Sequence, residues 1–272
     1  MLEIGISPCP NDTFIFYGII KEKIDLKNLK FRFIIEDVET LNNLCINGKL
    51  AISKISAHAF YYLKKEYDLL NAGGAISEYG PVVVTRNSER IGELSEIRIA
   101  LPGKLTTASA LMWFYWKKFF IDKKYILNFL PFNQTFDMLI KDEVDIGVLI
   151  HEGRFIYPSL GFKLIVDLGD FWKKETGTPI PLGCIVSKKD LKIKSVLEEL
   201  IRNSINYAFE NKDEVFKFVR SYAQELDEKV IISHIETYVN NYTFNMTDKG
   251  LLSMETLMNK IEQEGVWGLR NL

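Results

Sequence analysis

Two kinds of hydrophobic pattern alternate along this chain. Some runs are apolar at nearly every position, such as IGVLI at 146–150, and others place apolar residues three and four apart. The first kind reads as a strand covered on both faces and the second as an amphipathic helix. Strands are predicted at Leu2–Ser7, Phe31–Glu36, Ala51–Ile55, Val82–Arg86, Ile97–Leu101, Leu127–Pro131, Asp145–Ile150, Lys163–Leu168 and Gly183–Ser187. Helices are predicted between them, at Thr13–Lys23, Thr40–Ile46, Ala57–Lys65, Thr107–Phe120 and Phe136–Lys141. Such alternation builds βαβ units on mixed, mostly parallel sheets. Beyond about Lys188 only helical spacing remains, over Val196–Ala208, Asp213–Ala223, Lys229–Asn240 and Lys249–Glu264. The chain is therefore an α/β protein that ends in a helical block.

An internal echo organises these elements. ETLNNLCINGKLAISKIS at 39–56 resembles QTFDMLIKDEVDIGVLIH at 134–151. Each reads as a short helix, a polar turn and a buried strand that delivers a polar side chain at its end. Two similar α/β halves followed by C-terminal helices describe a two-lobed, binding-protein-like architecture. One lobe is expected at 1–85 plus 187–272, the other at 86–186, with a ligand cleft between them.

Composition narrows the function. Hydrophobic residues make up 47% of the 272 and charged residues 26%, as in a globular protein with a substantial core. The 34 basic and 36 acidic side chains leave a net charge of −2. A nucleic-acid partner, which needs a basic stripe, is not expected. No run approaches the roughly 20 apolar residues of a membrane span, and the N-terminus lacks the pattern of a secretion signal. Cys9, Cys45 and Cys184 form no CxxC pair and read as free thiols in a reducing compartment. His58, His151 and His234 show no metal-ligand spacing, so no zinc site is expected, and no glycine-rich phosphate loop is present to suggest a cofactor. The cytoplasm is the expected location. The oligomeric state stays open.

In open α/β sheets, ligands bind beyond the carboxyl ends of the strands. Four segments occupy those ends: SPCPND at 7–12, SKIS at 53–56, PGKLTTA at 102–108 and HE at 151–152. In PGKLTTA, Thr106 or Thr107 is a candidate N-cap, and the free backbone N–H groups there can hold an anion. An ordinary helix cap is the bland alternative, and Lys104 is either an added cation or simply solvated. Lys54, Ile55 and Ser56 close the matching strand of the first half, where the Ser56 hydroxyl can donate to a ligand or cap the next helix. Asp12 is expected to cap a helix from Thr13, while Ser7 and Asn11 can face the crevice. His151 ends a buried strand, where imidazole has no packing role and can take and return a proton near neutral pH. A hydrogen-bonded structural histidine is the alternative. Glu152 can orient that ring or point to solvent. His58 and His234 lie within helical patterns and read as packed. The 154–157 segment and Trp172 are candidate walls for a flat ligand or lobe-contact residues.

Taken in order, SPCPNDTFIFY, EDVETLN, KIS before a helix, PGKLTTA, IHEGRF, and PLG after DLGDFW resemble the 1,4-dihydroxy-6-naphthoate synthase family of the futalosine route to menaquinone. The similarity runs from near residue 4 to at least residue 240. It implies a type II periplasmic-binding-protein-like fold used as a cofactor-independent carbon–carbon lyase. The implied substrate is cyclic dehypoxanthine futalosine, a small carboxylate. The implied proton acceptor falls on His151, and the implied substrate contacts fall on Lys54, Ile55, Ser56, Thr107 and Ala108. Two other readings remain: chorismate dehydratase of the same pathway, against which the IHEGRF histidine argues, and a solute-binding protein without catalysis.

Overall fold

The computed structural model describes residues 1–131, 134–223 and 227–268. In the first sheet, β1 (Leu2–Ile6) lies between β2 (Phe31–Ile35) and β3 (Ile52–Ser56), parallel to both. The long β11 (Ile180–Lys188) runs antiparallel to β3 and also pairs with β4 (Tyr67–Leu69) and β5 (Ala75–Ser77). The second sheet has the order β10-β6-β9-β7-β8. Its strands are β6 (Val82–Thr85), β7 (Glu96–Leu101), β8 (Lys124–Phe129), β9 (Ile146–Leu149) and β10 (Lys163–Asp167).

Helices cover both sheets. In the first half these are α1 (Pro10–Ile20), α2 (Val38–Ile46) and α3 (Ala57–Leu63). The second half carries α4 (Ser88–Glu93), α5 (Thr107–Phe119), α6 (Gln134–Ile140), α7 (Gly153–Ile156) and α8 (Leu168–Thr176). The C-terminal block contains α9 (Lys194–Glu210), α10 (Lys212–Arg220), α11 (Glu228–Tyr238), α12 (Asn241–Phe244) and α13 (Thr247–Glu264). It folds back on the first half: α1 packs against α9, α10 and α11, and α13 against α3 and β11. One core joins Ile4, Ile6, Phe14 and Phe16 to Leu200, Ile205, Val215 and Ile231. A second runs through Ile55, Ile99, Leu111, Trp116, Val148 and Trp172. Among the described residues no helix is long and apolar enough to cross a membrane.

The sheets are mixed as expected, but parallel pairing is confined to β1–β2–β3 and β7–β8–β9. Strands that carry the chain between halves run antiparallel to their neighbours. Sheet membership also corrects the expected boundaries. Val82–Thr85, assigned to the 1–85 segment, pairs with β9 and β10. Gly183–Ser187, in or beside the expected 86–186 lobe, pairs with β3. The apolar pattern of these strands reports burial and is blind to which sheet buries them. Helix α1 begins at Pro10 rather than Thr13, because a proline at the first helical position loses no hydrogen bond and has its φ preset.

The chain passes between the sheets at residues 78–81 and returns through α8, and these two crossings touch. A Cβ built on Gly80 would lie 2.3 Å from the Gly169 nitrogen, and one on Gly169 would lie 2.4 Å from the Gly80 nitrogen. The Asp167 carboxylate caps α8 at Gly169 N (2.7 Å) and also accepts from Gly80 N (3.3 Å). Arg154 joins the same knot, with Nη1 2.6 Å from Asp167 and 2.5 Å from the Gly80 carbonyl. Backbone against backbone leaves a methyl group nowhere to go. Gly80→Ala is expected to destabilise the fold by about 1–3 kcal/mol, the usual range for overpacking. A denaturant midpoint equal to wild type would show that the crossings do not pack in this way.

Candidate functional site

A cavity with about 650 Å³ of empty space, counting its open mouth, lies between the two sheets. The first half contributes Ser7, Asn11, Asp12, Lys54, Ile55 and Ser56, and the second contributes Thr106, Thr107, Ala108, Ile150 and His151. His234 and Tyr238 of α11 complete the wall beside Leu182 and Gly183 of β11. Of the residues singled out from the sequence, Asn11, Lys54, Ile55, Ser56, Thr106, Thr107, Ala108 and His151 line one cavity, whereas Glu152 does not. The two echoing units deliver Ser56, the last residue of β3, and His151, two residues beyond the end of β9, to this cavity.

The floor is polar and closely bonded. Asp12 sits in the first turn of α1 and does not cap it; the N-cap is Cys9. One Asp12 oxygen accepts from Ser7 N (3.2 Å) and Ser7 Oγ (2.7 Å). The other accepts from Lys54 Nζ (2.8 Å) and Asn11 Nδ2 (2.8 Å). Lys54 also donates to the Gly73 carbonyl at 3.2 Å. Both members of this ion pair are almost wholly buried, with side-chain exposures of 6% and 1%. A buried charge needs such compensation, because desolvation alone costs several kcal/mol per ion.

Ser56 stands at the N-cap of α3 without a side-chain cap bond; its Oγ accepts from Asn42 Nδ2 (3.1 Å), and its N–H donates to Asn42 Oδ1 (2.8 Å). Asn42 in turn donates to Glu39, whose carboxylate accepts from Leu105 N in the opposite half (2.9 Å). Burial pushes the Glu39 carboxyl above its usual range, against hydrogen bonds that pull it down. Gly103 takes φ +125°, and a Cβ there would meet the Glu39 side chain at 2.6 Å.

At the start of α5, Thr106 is the N-cap and its hydroxyl accepts from Ser109 N at 3.3 Å. The Thr107 hydroxyl donates to Leu182 O (2.7 Å) and accepts from His58 N (3.1 Å). Both hydroxyls are engaged, so the anion-holding groups left at this terminus are the backbone N–H groups of Thr107 and Ala108. Lys104 is exposed and lies outside the cavity wall.

His151 follows β9 with φ +52°, in the left-handed region that side chains other than glycine seldom occupy. The residue as a whole is half-buried, lines the cavity and has Cys9 Sγ 3.1 Å from Nδ1. Burial pushes the imidazole down to about 4, and the negative charge of Asp12 acts the other way. Burial likewise pushes the Cys9 thiol well up. The site thus presents a neutral imidazole beside a neutral thiol at neutral pH.

His234 is the residue that sequence reasoning missed. It shares the buried face of α11 with Ile231, Ile235 and Tyr238. A histidine in an otherwise apolar stripe was the available signal. Its ring lies 6.1 Å from that of His151, nearly parallel to it, and Nε2 is 3.0 Å from Asn11 Oδ1. His58 is buried with Nδ1 against the Thr106 carbonyl at 3.2 Å and lines no part of the cavity. Arg154 is committed to the crossings, and Trp172 is core, its indole N–H shared between Thr178 Oγ1 and Pro179 O. Neither forms a cavity wall.

Comparison with known proteins identifies the family. The family model described as "Menaquinone biosynthesis" matches residues 2–263. The 1,4-dihydroxy-6-naphthoate synthase of Thermus thermophilus is 36% identical, covering 97% of this chain and 95% of that enzyme. A solved structure from Archaeoglobus fulgidus superimposes with a TM-score of 0.89 at 32% identity, covering 97% of each chain. The periplasmic aliphatic sulphonate binding protein of Escherichia coli is only 10% identical. It still superimposes with a TM-score of 0.66, over 96% of this chain and 86% of that one, so it shares the two-lobed binding-protein fold. With the family model spanning nearly its whole length, this chain belongs to the menaquinone-biosynthesis family and is an enzyme of that route.

Proposed function

We propose that the protein converts cyclic dehypoxanthine futalosine to 1,4-dihydroxy-6-naphthoate and a three-carbon keto-sugar fragment, with His151 as general base. The observation that carries this reading is the placement of a neutral imidazole at the cavity wall, facing a cavity shared with Ser56 and the N-terminus of α5. The substrate carboxylate rests on the N–H groups of Thr107 and Ala108, where the helix dipole favours negative charge. The Ser56 Oγ already accepts from Asn42, so its proton is what it offers the ligand. Lys54 serves through Asp12, holding the floor rather than meeting the ligand as a free cation.

His151 removes an acidic carbon-bound proton beside a ketone. The electron pair is held on the carbonyl oxygen; as it returns, the bond to the three-carbon fragment breaks with its pair on the fragment, which takes the proton back from the imidazolium, and aromatisation of the new ring supplies driving force. A single placed base contributes typically ~10²–10⁴-fold. Closure of the two halves over the ligand excludes water during the proton transfer. The lobes in this reading meet at the 78–81 and α8 crossings. The lyase is expected to act in the cytoplasm on its small carboxylate substrate.

Turnover of cyclic dehypoxanthine futalosine, with none of chorismate, is the expected result for the purified protein; the reverse would assign it to chorismate dehydratase, and binding without conversion to a solute carrier. His151→Ala should lower kcat at least ~100-fold while binding of 1,4-dihydroxy-6-naphthoate changes little. Wild-type rates in that variant would end the assignment of the base. To test the anion cradle, naphthoate binding is compared with that of its methyl ester by calorimetry; equal affinities would remove it.

The pH dependence follows from the lowered imidazole. A base must be unprotonated, so kcat/KM is level above the free-enzyme value of about 4 and falls as pH drops through it. An anionic substrate beside the ring favours its protonated form, so the acid limb of kcat lies at higher pH than that of kcat/KM. Coincident limbs near 6.5 would show an imidazole as solvated as one in water.

A further inference from the structure

We propose that His234 is a second ligand-contacting histidine of this cavity, accepting a hydrogen bond at Nδ1 from a hydroxyl of the substrate. The assignment rests on the naphthoate reading above and adds a specificity contact to it.

The argument is a proton inventory. The Asp12 carboxylate only accepts, so the Asn11 atom 2.8 Å from it is the amide nitrogen. The amide oxygen of Asn11 therefore faces His234 Nε2 at 3.0 Å, and Nε2 must carry the proton. Burial holds the ring neutral by pushing its pKa well down, with the His151 charge in the same direction. A neutral ring protonated at Nε2 has a lone pair on Nδ1. That atom is buried and has no hydrogen-bond partner among the described residues, and the residue as a whole is 1% exposed. An unmet buried acceptor costs about 1–3 kcal/mol. The native chain tolerates it on a residue that lines the cavity.

A donor from the ligand removes that cost. The tyrosine neighbour, Tyr238, approaches by its ring, centroid to centroid at 4.8 Å, and makes no such bond. The two histidine rings are 6.1 Å apart and nearly parallel, close enough for one carbon–oxygen unit of a ligand to meet both. His151 then addresses a carbon-bound proton and His234 a neighbouring hydroxyl. The relay Lys54–Asp12–Asn11 fixes which nitrogen of His234 is bare, so the floor sets the acceptor without touching the ligand itself.

The variants separate this contact from a structural role. In His234→Gln the amide nitrogen takes the place of Nε2, so the bond to Asn11 is kept and the Nδ1 acceptor is lost. In His234→Asn the side-chain oxygen takes the place of Nδ1, so the acceptor is kept and the bond to Asn11 is lost. The probes are 1,4-dihydroxy-6-naphthoate and 2-naphthoate, which shares its rings and carboxylate and lacks the hydroxyls. Wild type is expected to prefer the dihydroxy compound. His234→Gln is expected to lose about tenfold of that preference, the equivalent of one hydrogen bond, with 2-naphthoate binding unchanged. His234→Asn should retain the preference.

An undiminished preference in His234→Gln overturns the contact. Should that variant fail to fold, ring ¹⁵N shifts of the wild type decide: the unprotonated Nδ1 signal moves with the dihydroxy compound and not with 2-naphthoate. Equal movement with both overturns the proposal. Failure of the wild type to bind either naphthoate overturns the reading of the substrate, and this contact with it.

Discussion

Four donors converge on the carboxylate of Asp12, and the site is organised by that convergence. Ser7 supplies two of them from the end of β1, Asn11 one from α1 itself, and Lys54 one from β3. A strand end, a helix start and a neighbouring strand are thereby held to one buried charge. Removing the carboxylate would strand the Lys54 ammonium at 5% exposure, with the Gly73 carbonyl as its remaining partner. Truncating one member of such a pair costs about 3–5 kcal/mol, more than most single hydrogen bonds. Through Asn11 the same charge orders His234 on α11, so the C-terminal helices are tied to the cavity floor by polar contacts as well as by apolar packing.

The two halves meet this floor from different directions. Glu39 reaches across to the backbone of Leu105, and Thr107 reaches back to the carbonyl of Leu182. Gly103 adopts a backbone conformation and a closeness to Glu39 that a side chain would prevent. At the crossings, Asp167 and Arg154 bind Gly80 from both its N–H and its carbonyl. Arg154 lies three residues beyond His151. The segment carrying the proposed base is thus anchored to the place where the chain passes between sheets.

Much of this was legible in the sequence, and the limits have physical causes. Each of the nine strands read from apolar runs overlaps one in the structure. Burial on both faces, which leaves a pattern independent of partners, holds along the whole of β3, β6 and β9, while β2, β8 and β10 are half-buried or exposed. The three-residue strands β4 and β5 are too short to show a period, as are α7 and α12 at four residues each. Sheet assignment failed for β6 and β11, since pairing partners lie from 63 residues (Val84 with Gly147) to 135 residues (Ile52 with Ser187) apart and leave no local trace. The cavity residues at strand ends were readable because topology puts ligands there. His234 was not, since a helix from the distant C-terminal block reaches the cavity only through tertiary packing.

In the proposed reading, His151 is where a ligand-holding fold is turned toward chemistry. A residue with a Cβ at φ +52° is held there against a cost of order 1–3 kcal/mol, which the surrounding structure must overcome. The echoing position in the first half is Ser56, which ends its strand with ordinary extended geometry, φ −69° and ψ 143°, and enters α3 directly. The two units therefore start from the same helix–turn–strand plan and diverge at the last residue. One ends in a hydroxyl on regular backbone. The other ends in an imidazole on a strained turn, kept neutral by burial and set against Cys9 and the His234 ring. Binding a carboxylate needs only the helix terminus and the hydroxyl. In the proposed reading the strained turn supplies what binding alone does not require: an imidazole to act as base at the wall of a cavity that both halves complete.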